Sequence, residues 1–104
     1  EAEIVLMTPC MMMKRDNGRI AEAHRPLVPK FLTLAEDGIL ALYVEAVRNL
    51  AAETGIPCLD LYAMWEAMEE AGVDIHTRLS NGINHPDPEF HEEAGLALER
   101  LLLR

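Results

Sequence analysis

Ile4-Val5-Leu6-Met7 is a continuous apolar run, and Thr8-Pro9 ends it. A strand covered on both faces reads this way, and such strands belong to parallel α/β sheets. Pro9 has no amide to donate, so it stops the ladder. A second strand is predicted in Ile56-Pro57-Cys58-Leu59-Asp60-Leu61, with Pro57 tolerated near its start. Between the two, Leu40, Tyr43, Val44, Val47, Leu50 and Ala51 recur at helical spacing. They predict a helix over 36–54, closed by Gly55, with the Tyr and Val stripe in the core. Asp60 is placed to cap a helix over 61–71 that Gly72 closes, packed down by Met64, Trp65 and Met68. Phe90, Ala94, Leu98, Leu101 and Leu102 mark the inner stripe of a last helix over 88–103. Alternating strands and helices with connections of this length argue a parallel α/β sheet with right-handed crossovers.

The stretch Cys10–Leu34 lacks such a pattern. Asn17-Gly18, Pro26 and Pro29 punctuate it, predicting a long irregular connection of the kind that forms lids or binding loops. Lys14, Arg15, Arg19, Arg25 and Lys30 concentrate basic charge there, either for an anionic group on a substrate or as a solvated loop. Met11–Met13 read as adaptable apolar filling or as a greasy rim, with packing favoured. Val73–Ser80 reads as a linker in which Asp74 and His76 are exposed and without partners.

With 104 residues, half of them apolar, the chain suits one small domain with one core. A net charge of −9 excludes a nucleic-acid backbone or an anionic membrane surface as partner. No apolar run is long enough to span a bilayer, and no signal-peptide pattern is present. Glu1 is not an initiator methionine, so the gene is expected to start further upstream. Two cysteines, Cys10 and Cys58, make no disulfide framework and fit a reduced, cytoplasmic setting.

The densest local signal is Ser80-Asn81-Gly82-Ile83-Asn84-His85-Pro86, followed by Asp87-Pro88-Glu89-Phe90-His91. Asn, Gly and Pro this close together demand a structured loop. The loop becomes a helix: Asp87 suits the N-cap, Pro88 the first turn, and Glu89 the positive end of the dipole. His85 therefore sits just before a helix N-terminus; the plain alternative is a surface-loop histidine.

Asn-Gly-Ile-Asn-His-Pro, with His91 six residues after His85, resembles the last block of the SGNH (GDSL-type) serine esterases and lipases. That block reads Asp-x-x-His-Pro and is commonly followed by Gly-His at the start of the C-terminal helix. The Ala-Val-Arg-x-Leu-Ala helix, short strand and Asp-Leu-Tyr before it are also similar to the family. The resemblance implies that His85 is the catalytic base and that His91, after Phe90 instead of Gly, is the helix-start histidine. Where the family carries its acid this chain has Gly82, with Asn81 one position further back. The family's Gly-Asp-Ser-Leu, Gly and Gly-x-Asn-Asp blocks do not occur. The resemblance thus covers residues 1–104 but only the C-terminal half of an SGNH domain. The implied fold is the C-terminal part of a three-layer, flavodoxin-like α/β/α sandwich with a parallel sheet.

An imidazole base must take a proton from a hydroxyl and return it to the leaving alkoxide, while its other nitrogen is held by a partner. Asn81, Asn84 or a backbone carbonyl is the expected orienter, because Asp87 is needed for the cap. Ser80, the only serine, sits in no nucleophile elbow. Three readings follow. In the first, His85 serves an SGNH-type ester hydrolase, acting on a small ester or acetylated substrate with no cofactor or metal. The serine then comes from an N-terminal half outside these residues, without which the chain is inactive. In the second, Cys10, just past the first strand, is a nucleophile with His85 and an Asn, against a plain buried cysteine. In the third the chain is a non-enzymatic module, or a weak metal site drawn from His76, His85, His91, Asp74 and Asp87. The first strand also needs a neighbour on its far edge, from the rest of the domain or from self-association.

Overall fold

The computed structural model describes residues 2–103. Two short strands, β1 (Leu6–Met7) and β2 (Cys58–Leu59), pair in parallel with Leu6 opposite Cys58 and Met7 opposite Leu59. The described residues also form four α-helices: α1 (Val28–Glu36), α2 (Ile39–Thr54), α3 (Leu61–Glu70) and α4 (Pro88–Leu102). The fold is thus mixed α/β, mostly helical, with a small two-stranded parallel sheet. No helix among the described residues is long and apolar enough to cross a membrane.

The core forms where helix caps and strand ends meet. Trp65 and Phe90 lie fully inside with ring centroids 4.9 Å apart at a tilted angle, the geometry that aromatic quadrupoles favour. Met11, Met13, Leu59, Leu61, Ile75, Leu79 and Ile83 close around them. Met11 and Met13 are thus packing residues, as their pattern suggested. α2 packs against β1 and α4 against β2.

Several predicted elements change on folding. Cys10–Leu34 is not irregular throughout: a 3-10 turn at Glu22–Leu27 runs into α1. Pro29 lies in the first turn of α1, where a missing N–H costs nothing, so it starts the helix instead of breaking the segment. The helix expected over 36–54 begins at Ile39, because Gly38 adopts φ +65° and separates α1 from α2. Tyr43 and Leu50 are corrected outward, to 66% and 46% exposure; Val44, at 1%, carries the inner face. On α4, Leu98 and Leu102 likewise face out, while Phe90, Ala94 and Leu101 pack inward. Strand β1 is shorter than its apolar run and not covered on both faces: Ile4 is 61% and Met7 58% exposed. Among the described residues β1 pairs with β2 alone.

One carboxylate ties the two strands to two helices. Asp60 caps α3 through the Ala63 N–H (3.0 Å), accepts the buried Thr8 hydroxyl at the end of β1 (2.9 Å), and binds Arg48 of α2 (2.8 Å). Thr8 in turn accepts the Tyr62 N–H and donates its own N–H to Leu59. Burial alone would raise the Asp60 carboxyl, but the bonds from Arg48, Ala63 and Thr8 outweigh it and hold it below its usual value. A depressed carboxylate stabilises the fold above the unfolded-state pKa, about 3.9, and loses that contribution as pH falls through the folded value. Asp60→Ala is therefore expected to cost about 1–3 kcal/mol in urea unfolding at pH 7. The gap between the two proteins should close below pH of about 4.

Candidate active site

Leu79 and Pro86 form an isolated antiparallel bridge, so residues 80–85 are a loop closed at its base. The Asp87 N–H donates to the Arg78 carbonyl (2.8 Å), and the Ser80 N–H to the His85 carbonyl (2.7 Å), just outside and inside that closure. Inside the loop a single side chain does most of the organising. Asn81 Oδ1 accepts the N–H groups of Ile83 (2.9 Å), Asn84 (3.0 Å) and His85 (3.0 Å). An Asx-type turn of this kind satisfies three donors that a tight loop otherwise leaves to water. The Asn81 amide reaches Asn84 Oδ1 (3.0 Å).

The loop is also pinned from outside. The Met13 N–H donates to the Ile83 carbonyl (2.7 Å), and Asn17 Nδ2 to the Gly82 carbonyl (2.9 Å). Gly82 is buried at φ +72°, and a Cβ there would come within 2.8 Å of Asn17 Oδ1 and 3.0 Å of Ile20. Position 82, three residues before His85, is thus one that only glycine fills here, for two independent reasons.

His85 leaves this frame with its backbone held on both sides and its imidazole exposed. Asn81 and Asn84, expected to orient the ring, spend their polar atoms on the loop itself. Among the described residues no hydrogen bond reaches the ring of His85. Asp87 is taken up as anticipated. It caps α4 through the Phe90 N–H (2.7 Å) and pairs with Arg78 (2.7 Å), whose guanidinium holds its carboxyl below the usual range against partial burial. Ser80 donates its hydroxyl to the His85 carbonyl (3.1 Å), a loop contact and not a nucleophile's geometry.

The other candidates separate. Burial raises the Cys10 thiol above its ordinary value, and the neighbouring Trp65 indole only partly opposes this. A raised pKa disfavours the thiolate that a cysteine nucleophile needs. Four of the five basic residues of this segment are spent internally: Lys14 on Glu69, Arg15 on Asp74, Arg25 on Asp16, and Arg19 on the Leu79 carbonyl; Lys30 is exposed on α1. Among the described residues no group of three His, Cys, Asp or Glu side chains is placed to hold a metal ion.

His76, read as exposed and unpartnered, is instead 5% exposed with both ring nitrogens engaged. Nδ1 lies 2.7 Å from Asp74 Oδ1, and Nε2 accepts the Lys14 N–H at 3.0 Å. The carboxylate fixes the tautomer with the proton on Nδ1. This is the Asp–His pair that the loop around His85 lacks, but its second nitrogen already binds backbone, so it staples two segments together. Asp74-x-His76 opening a short turn was the available sequence signal, with the Asp74 side chain capping through the His76 N–H (3.1 Å).

No family model, curated protein or solved structure matches the chain.

Asn81→Ala should free the amides of Ile83, Asn84 and His85 to exchange with solvent at least about tenfold faster, because their common acceptor is gone. Asn81→Asp keeps that acceptor and should keep the protection. Amide exchange followed by NMR distinguishes the two.

Proposed function

We propose that this chain supplies the general base, His85, of an SGNH-type ester hydrolase. The observation that carries the reading is the mounting of His85. Its backbone is fixed by Asn81 and Ser80, its imidazole is open to solvent, and it stands one residue pair before the N-cap of α4. A base that must reach a substrate needs a fixed origin and an unoccupied ring, and a packing histidine such as His76 lacks the second. Ligands of open α/β sheets bind beyond the carboxyl ends of the strands. The N–H of Met13, from the segment that follows β1, links this edge directly to the loop.

The serine and the oxyanion donors come from polypeptide that packs on the free edge of β1, completing a three-layer sandwich. The unpaired strand edge and the outward Ile4 and Met7 support this, since such an edge otherwise invites association. The outer stripe of α2, with Leu42, Tyr43 and Leu50 exposed, is a further apolar surface available for cover. The substrate is a small ester or acetylated compound. With no carboxylate on the ring, the imidazolium formed during turnover is stabilised by solvent and by whatever the completing polypeptide brings.

In the full protein, His85→Ala should lower turnover of an aryl ester by several orders of magnitude while the unfolding midpoint stays put, because the ring of His85 makes no contact that folding depends on. A serine-directed fluorophosphonate should label the full protein and leave residues 1–104 alone unlabelled. Full turnover by a folded His85→Ala protein overturns the assignment.

A further inference from the structure

A cavity of about 400 Å³ lies between the segment that follows β1 and the start of the helical layer. Met12, half-buried between the fully buried Met11 and Met13, faces it from one wall; Phe31 and Leu34 of α1 and Ala41 of α2 form the other. Volume and lining match small-molecule sites, which are concave, largely apolar and carry few polar groups. Thioether side chains adapt their shape to an apolar guest at low cost.

The methionine wall is held in place before any ligand arrives. Lys14 N–H donates to His76 Nε2 (3.0 Å), and Met13 N–H to the Ile83 carbonyl (2.7 Å). His76 is itself fixed by Asp74. The wall therefore hangs on two buried acceptors, one of them in the loop that carries His85.

The charges on the rim select the guest. Lys14 is the cation of the lining, and its ammonium already meets both carboxylate oxygens of Glu69 at 2.9 Å. Glu36 stands on the opposite side, and the whole chain carries −9. Among the described residues that line it, a fatty-acid anion finds no unpaired cation and meets a repulsive field. We infer that this cavity binds an uncharged medium-length acyl chain, the apolar end of an ester or amide. The identity of the head group rests on the hydrolase reading; the preference for an uncharged chain rests on the cavity.

The test is a titration of the protein labelled with 13C at its methionine methyls, using butanamide, hexanamide and octanamide, with octanoate as the charged control. Octanamide should shift the methyls of Met11, Met12 and Met13 and leave Met7 in place. Affinity should rise about fourfold per added methylene, and octanoate should bind more weakly than octanamide. Ala41→Trp, which fills the cavity, should weaken octanamide at least about tenfold with the Met7 and Met68 signals unchanged. Met12→Gln, at a half-buried position, is the second variant and should act in the same direction. Shifts absent up to the solubility of octanamide, shifts spread evenly over all six methionines, or octanoate binding as tightly overturns the inference. Binding retained in a full protein that hydrolyses neither octanoyl nor acetyl esters overturns the hydrolase reading and leaves the cavity assignment standing. Hydrolysis of acetyl esters without octanamide binding does the reverse.

Discussion

The Asp60 carboxylate is the point on which the rest of the molecule is hung. Two strands of two residues each contribute almost nothing as a ladder, and an isolated pair of this length does not hold in water. What fixes them is the group at their common end. Thr8 closes β1 onto Asp60, Asp60 begins α3, and Arg48 brings α2 to the same oxygen atoms. Glu66 and Glu45 complete the set around the guanidinium, which also lies 5.9 Å from the centre of the Tyr62 ring. Side-chain hydrogen bonding here does the work that a longer sheet does through its backbone.

From this point the order of the fold follows. α3 sets Trp65 against Phe90, so the first turn of α4 is anchored in the core. Anchoring α4 fixes Asp87, and the Arg78–Asp87 pair closes the base of the loop that carries His85. The 11–14 segment is drawn onto the same loop and onto His76. The candidate base and the methionine-lined cavity therefore share one piece of backbone, residues 13 and 14, as a common wall.

Much of this was legible in the residues. Asp60, Asp87, Gly55 and Pro88 announce their helix ends because capping is local chemistry, decided within four residues. The apolar runs located the two strands, although the first is not covered on both faces as its run suggested. What was hidden depends on distant partners. Pro29 looks like a breaker until the direction of the helix is known. Tyr43 and Leu50 fit the inner stripe of α2 as well as Val44 does, and only the placement of neighbours turns them outward. His76 and Lys14 are 62 residues apart, so nothing near either one reveals their bond. The loop around His85 was recognisable as engineered, but Asn81's role in it was not: an orienter of a ring and an organiser of a turn look alike in one dimension.

Gly82 carries a consequence for how this loop can change over time. Its Cα faces Asn17 and Ile20 closely enough that no side chain fits, and its backbone sits where side chains are strained. Placing an acid three residues before His85 therefore requires the turn at 17–20 to retreat in the same event, and Asn17 to give up its bond to the Gly82 carbonyl. The dependence runs one way across 65 residues of sequence: position 82 can change only if the turn at 17–20 changes with it. Single substitutions at Asn81 remain open, so that position is where drift of the loop toward a charged partner for the histidine has a path.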